Sequence, residues 1–304
     1  MDPFESILVG VDLSRASRVA LRHAMRIAGW SWSGLHATHV VDKSVIRDVS
    51  KTWCGTKDEL DRLLVSEART RWDEFAQGIV PDLPMTFDVG LDNRAPGLLN
   101  VAARRHADLL VIGFEESDRA GAKRMVDACL RQSAADVLVI HGTQPGPFRK
   151  IVAAIDFTDT SRRVVERAAY LAAMEPARLY LVHLSEAPWH GSVLSGSKAE
   201  ARTPSWREKQ KILQRELMEF TRPWLDMLSP QAIEWRIETD AAHRAGIGAF
   251  AREYDADLVV LGTRTPGSLH DRFFGTAAEA VLHETRCCVL AVKPPAEASS
   301  AEAA

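Results

Sequence analysis

The chain of 304 residues is 46% hydrophobic and 26% charged, with a formal net charge of −3, the make-up of ordinary globular protein. Acidic and basic residues are interspersed throughout, so the charge balance gives no reason to expect nucleic acid or an anionic membrane as partner. The longest apolar runs, such as Leu109–Ile112 and Leu258–Leu261, fall far short of the ~20 residues a membrane helix needs.

In chain order, the first half reads as strand 6–12, helix 16–28, strand 35–41, a polar connection, a long helix near 57–77, strand 85–90, helix 95–105 and strand 108–113. The second half reads as strand 150–156, helix 160–174, strand 178–185, a long helix near 206–228, strand 233–238, helix 242–254, strand 257–262, helix 275–285 and strand 287–293. The strands are short continuous apolar runs and not alternating ones, which predicts burial on both faces of a parallel sheet flanked by helices. Gly142-Thr-Gln-Pro-Gly-Pro147 punctuates the middle of the chain, because two prolines forbid a continuous helix or ladder. The expected division is therefore 1–145 and 146–294, followed by a small, polar, aperiodic tail at 295–304 expected to be disordered.

The two halves repeat one pattern. Ile7-Leu-Val-Gly-Val-Asp12-Leu-Ser14 returns as Ile151-Val-Ala-Ala-Ile-Asp156-Phe-Thr158, and His39 and His183 follow their aspartates at the same offset. A repeat near half the chain means two copies of a whole domain. Both histidines end second strands, which favours packing or hydrogen bonding over catalysis.

The chemically informative stretch is in the second copy. Strand 257–262 runs into Gly262-Thr-Arg-Thr-Pro-Gly267 and on to Phe274-Gly275-Thr276, after which Ala277–Leu282 reads as a helix. In open α/β sheets, ligands bind beyond the carboxyl ends of the strands, where backbone N–H groups and a helix N-terminus hold anions. Gly275 permits close approach and Thr276 offers a hydroxyl at the helix start.

These residues resemble the universal stress protein family in its tandem two-domain form, over the whole chain up to the tail. The family motif is G-x2-G-x9-G-[ST] after the fourth strand. Gly262 and Gly275-Thr276 keep its outer spacing, whereas Thr265 replaces the middle glycine and Pro266 follows it. Pro266 removes a donor and drives Thr265 toward extended backbone, which weakens the motif. Gly267 would relocate the turn, and Arg264 and Arg272 would supply charge to phosphate oxygens.

The resemblance implies a stress-response regulator with two Rossmann-related α/β domains paired through their last strands, Val137–Ile140 with Val289–Val292. It implies ATP or a related adenine nucleotide over Ala154, Ile155 and Asp156, with Leu184 against the adenine and Gly262 and Thr263 at the ribose. Gly275, Thr276 and Ala277 would meet phosphates bridged by Mg²⁺ or Mn²⁺. Asp156 has a second reading, in which it complements the start of the following helix without a ligand; its duplicate Asp12 lies in a copy that has lost the loop. There, 23 positions separate Gly113 from Asp136 against 26 between Gly262 and Cys288, and Lys123-Arg124 align with Gly275-Thr276. Glu115 and Glu116 add negative charge beside that position, so the first domain is expected not to bind ATP.

Other constellations are weaker. Gly191-Ser-Val-Leu-Ser-Gly196-Ser-Lys198 inverts the Ser and Lys of a phosphate-binding loop and reads as a flexible segment, with 188–204 as a lid. His190, His243, His270 and His283 with Cys287 would form a zinc site only if the fold converged them, and metal-site spacing is missing. The four cysteines form no disulfide framework. No set of general base, nucleophile and oxyanion donors is legible, so the alternatives to a nucleotide switch are a nucleotide-independent scaffold for protein partners and a slow ATPase. The opening Met-Asp-Pro-Phe-Glu-Ser has no basic stretch or long apolar run, which makes the cytoplasm the expected compartment; homodimerisation is a further expectation.

Overall fold

The structure is a computed structural model, and it describes residues 4–79, 84–115, 120–141, 146–185, 206–239, 246–263, 278, 281–282 and 285–295. Two compact units are present: residues 1–147 with 286–293, and residues 148–285 with 294–304.

The first unit runs β1 (Ser6–Gly10), α1 (Arg15–Ser31), β2 (Gly34–Asp42), α2 (Lys43–Ser50), α3 (Lys57–Ala76), β3 (Met85–Asp92), α4 (Arg94–Arg104), β4 (Leu109–Phe114), α5 (Ala120–Gln132) and β5 (Asp136–His141). Its strands lie in the order β3-β2-β1-β4-β5, all parallel, and β10 (Cys288–Val292) adds antiparallel to β5. Val289, Leu290 and Ala291 face Val139, Leu138 and Val137. This is the last-strand pairing that the family resemblance implies, and it covers the edge that β5 would otherwise expose. The second unit runs β6 (Lys150–Ala154), α6 (Asp159–Met174), β7 (Arg178–Ser185), α7 (Trp206–Thr221), β8 (Ile233–Thr239), α8 (Ile247–Glu253) and β9 (Leu258–Gly262), with strands in the parallel order β8-β7-β6-β9.

Four consecutive residues of β4, Leu109 to Ile112, and four of β9, Leu258 to Leu261, are buried, so both faces of these strands are covered as the continuous apolar runs require. The duplication extends to polar clamps. Asp108 Oδ2 accepts the N–H groups of Glu5 (2.9 Å) and Ser6 (3.0 Å), and Asp257 Oδ2 accepts those of Arg149 (2.7 Å) and Lys150 (2.9 Å). Each aspartate thus fixes the start of its unit's first strand against the fourth.

Three local features depart from the expected elements. The polar connection after β2 contains α2, which Asp42 caps through the Ser44 N–H at 2.8 Å. The segment after β4 forms α5, which the sequence reading left unassigned. α7 ends at Thr221 and gives way to a 3₁₀ turn over Arg222–Trp224, because Pro223 cannot continue an α-helical ladder.

Glycine marks the closest helix–strand approach in the first unit. A Cβ on Gly113 would lie 2.5 Å from the backbone carbonyl of Ala16, whereas nothing stands within 4 Å of one on Gly121. Gly113→Ala should therefore destabilise the protein by about 2 kcal/mol in urea unfolding, while Gly121→Ala is neutral to slightly stabilising.

Lys293 secures the end of β10 within the first unit. Its N–H donates to Asp136 Oδ1 at 2.8 Å and its ammonium donates to the Leu130 carbonyl. Burial lowers its pKa from 10.5 to about 8, against the opposing pull of Asp136 and Cys129, and burial raises the Cys129 thiol to about 12. Below pH 8 the lysine is charged folded and unfolded alike; between about 8 and 10.5 only the unfolded chain keeps the proton, so stability rises with pH across that window. Relative to Lys293→Met, the wild type should gain up to about 1.4 kcal/mol per pH unit there, measured by denaturant unfolding of both proteins at matched pH.

Candidate functional site

The described candidate nucleotide residues lie near the point where the chain leaves β6. Ile155 continues that strand, its N–H donating to the Val182 carbonyl at 2.8 Å. Phe157 then takes a left-handed conformation with φ of 64°, which costs an L-residue with a side chain roughly 1–2 kcal/mol. Asp156 stabilises this turn: its Oδ1 accepts the Thr158 N–H at 3.1 Å, the Thr158 hydroxyl at 2.6 Å and the Ser161 hydroxyl. Thr158 in turn caps α6 by accepting the Ser161 N–H at 3.3 Å. His183 Nδ1 lies 2.8 Å from the Ile155 carbonyl and, with that acceptor, donates to it. The ring of Phe157 packs against His183 at 4.6 Å and edge-on against Phe220 at 5.5 Å.

The first copy repeats the construction without the aromatic packing. Leu13 has φ of 66°, Asp12 Oδ1 accepts the Ser14 N–H at 3.0 Å, Ser14 caps α1 through the Ser17 N–H at 3.2 Å, and His39 Nδ1 lies 2.8 Å from the Val11 carbonyl. Burial pushes the Asp12 carboxyl up, but hydrogen bonds from Ser14 and Ser17 outweigh it and hold the pKa below the ordinary carboxylate value. Both aspartates thus have a helix-start role, and both histidines are hydrogen-bonded to the backbone just before it.

β9 is parallel to β6, so Gly262 and Thr263 leave the sheet at the same end as Ala154, Ile155 and Asp156. Gly262 has a packing reason independent of any ligand: a Cβ there would come within 2.8 Å of Thr160 Cγ2 at the start of α6. Thr263 is buried, and Leu184 is half-buried near the end of β7. Arg264, Gly267, Arg272, Gly275, Thr276 and Ala277 lie outside the described residues, as do the 188–204 segment, the expected tail beyond residue 295, and His190, His243, His270 and His283. Cys287 is buried and Cys54 exposed. Among the described residues no cluster of three or more His, Cys, Asp or Glu is placed to hold a metal, and no helix is long and apolar enough to cross a membrane.

The described residues form a half-open cavity in the first unit. It measures about 420 Å³ and opens over the carboxyl ends of β1, β2 and β4, touching Asp12, Thr38, His39 and Gly113. α2 covers it with Val45 and Val49, and α3 with Leu64 and Ala68. The sequence reading missed this cavity because it searched for a phosphate loop; the Val45 and Val49 pair, one helical turn apart after an Asp42 cap, is the signal that would have found its cover. Thr38 is 1% exposed, and its hydroxyl has no hydrogen-bond partner among the described residues.

A model of the universal stress protein family matches residues 3–141 and again 147–293. The chain belongs to the universal stress protein family. A universal stress protein of Methanocaldococcus jannaschii is 29% identical over 153 residues, which make up 49% of this chain and 84% of that protein. Universal stress protein A homolog 1 of Coxiella burnetii is 30% identical over 146 residues, 48% of this chain and 96% of its own. Among solved structures, a universal stress protein of Archaeoglobus fulgidus matches 96% of this chain and 99% of its own with a TM-score of 0.64 at 17% identity, a likeness of fold. Each curated relative thus corresponds to about half of this tandem chain.

The orphaned hydroxyl of Thr38 gives a direct test of a buried unsatisfied polar atom in the first unit. Thr38→Val replaces an unsatisfied buried polar atom by a methyl group of similar shape, and thermal and urea unfolding of the ligand-free protein should show a gain of about 1 kcal/mol.

Proposed function

We propose that this universal stress protein is a stress-response regulator that binds ATP or a related adenine nucleotide in its second half, and that its first half does not bind ATP. The observation that carries the reading is the strand order of the second unit, in which β7 and β9 flank β6. The chain crosses from β6 to one side and returns on the other, so a crevice opens between the carboxyl ends of β6 and β9, the general ligand position of open α/β sheets. Asp156, Gly262 and Thr263 stand at that end, and the segment that follows carries Gly275-Thr276 before the residues that continue toward Leu282. The hydrogen-bonded Asp156 turn supplies a rigid floor, and Gly262 keeps strand and helix start close.

In this reading, Ala154 to Asp156 and Leu184 face the nucleoside, Gly262 and Thr263 approach the ribose, and Arg264, Gly267, Gly275, Thr276 and Ala277 serve the phosphates. Mg²⁺ or Mn²⁺ would accompany the nucleotide and neutralise part of its phosphate charge. Ligand occupancy would control the protein by favouring whichever conformation binds nucleotide better.

Calorimetric titration of nucleotide-stripped protein with ATP·Mg²⁺ tests this. The expected result is a saturable signal near one site per chain that Gly275→Val abolishes. No heat and no thermal shift at millimolar ATP would sink the reading in favour of a scaffold that docks partner proteins without nucleotide. Phosphate release under multiple turnover, lost in Asp156→Ala, would instead identify a slow ATPase.

A further inference from the structure

We propose that α1 of the first half is a docking face for an anionic lipid surface, on which it rests reversibly through a line of arginines and an exposed tryptophan. The proposal is independent of nucleotide binding in the second half.

The mixing of charges along the chain fails on this helix. Arg15, Arg18, Arg22 and Arg26 follow one another at intervals of three, four and four residues, which puts them on one face. At 1.5 Å per residue the line is about 16 Å long. α1 contains no Asp or Glu. Arg15 and Arg22 are exposed, and among the described residues neither enters an ion pair. Arg18 donates to the Phe75 carbonyl at 2.7 Å and lies over the Phe75 ring; both partners are neutral, so its charge is not cancelled. Asp12, just before the helix, accepts from its own turn. Arg26 continues the line half-buried, held by His23 and the Gly146 carbonyl, and the outward charge rests on the first three.

The second copy is an internal control. Counted from the paired aspartates, the positions of Arg15, Arg18 and Arg22 are occupied in α6 by Asp159, Arg162 and Glu166, and Arg162 pairs with Asp159 at 3.1 Å. The fold therefore does not require the basic line, in which like charges three and four residues apart repel. The helix end shows the same contrast. Trp32 caps α1 in a left-handed conformation with φ of 51°, a place glycine ordinarily takes, and it is 87% exposed. Its counterpart is Pro176, also at positive φ. The backbone register is shared, since the Ser33 N–H donates to the Ala28 carbonyl as the Ala177 N–H does to that of Ala172. One copy alone thus carries an indole in a strained position and in water, at the end of the basic line. Ser31 and Ser33 hold that turn by donating to the carbonyls of Ile27 at 3.2 Å and Phe4 at 2.6 Å, so the indole is presented from a fixed backbone.

Charge and shape name the partner. Guanidinium groups pair with phosphates, basic residues are drawn to an anionic leaflet, and tryptophan settles at the headgroup level with its ring inward and its N–H wet. A nucleic-acid track would offer successive aromatic platforms to successive bases, whereas Trp32 stands at one end. Symmetric pairing with a second copy would set two arginine lines against each other. The chain's net charge of −3 opposes the attraction, which makes docking reversible and salt-dependent.

The test is co-sedimentation of the full chain with vesicles of phosphatidylcholine alone or with about 30% phosphatidylglycerol, at about 0.15 M salt. The protein should bind the anionic vesicles at least about tenfold more tightly than the neutral ones and leave them at about 1 M salt. Arg15→Gln combined with Arg22→Gln should weaken binding about tenfold. Trp32→Gly removes the anchor and suits the left-handed cap, so binding should fall about fivefold while thermal stability holds or rises; a structural role for the indole predicts lower stability instead. Circular dichroism restricts the comparison to folded variants, and Trp32→Gly serves alone if the double variant misfolds. Failure to bind anionic vesicles, equal binding to neutral ones, or unchanged binding in either folded variant would each overturn the proposal. So would binding of a single-stranded oligonucleotide without binding of vesicles, which would assign the face to nucleic acid. A dimer in analytical ultracentrifugation that Trp32→Gly dissociates would assign it to a second copy and overturn the proposal too.

Discussion

The tight exit from the first strand of each unit is the constraint around which the candidate site and the first unit's cavity are arranged. A left-handed residue, Leu13 or Phe157, reverses the chain direction at a cost that glycine would avoid. The preceding aspartate offsets that cost by accepting the N–H of the residue that caps the next helix. The histidine of the second strand secures the carbonyl on the other side. Strand end, helix start and second strand are thereby locked together, and the floor over which a ligand would lie is fixed before any ligand arrives.

This construction changes how the conserved-looking features of the repeat are explained. Asp156 and Gly262 resemble ligand residues, but each also has a structural duty, the first as acceptor in the turn and the second as the gap that admits Thr160. Gly113 performs the equivalent duty against the backbone of Ala16 in the half that has lost the phosphate loop. Persistence of these residues in both halves is accounted for by folding alone. The two halves differ in what surrounds the shared floor: Glu115 and the α2 cover in one half, and the sequence of the 264–277 segment in the other.

The first unit also keeps a cavity at the carboxyl ends of its strands. Loss of three positions between the fourth and fifth strands leaves α5 beginning at Ala120, and Met125 of that helix borders the cavity. The space is bounded by α2 and α3 on one side, and its lining combines valines and leucines with three carboxylates and two arginines.

The sequence by itself determined the architecture. Continuous apolar runs announced strands buried on both faces, and the repeated Ile7–Ser14 and Ile151–Thr158 patterns announced two copies. These are properties of local hydrophobic period and of self-similarity, which are written along the chain. Only the tertiary structure decided that Gly113 and Gly262 serve helix–strand contact, that the Thr38 hydroxyl is left without a partner among the described residues, and that a half-open cavity lies in the first unit. The physical reason is range: a cavity and an orphaned polar atom are defined by side chains from five or more elements, Asp12 to Met125, whose convergence no spacing along the sequence records.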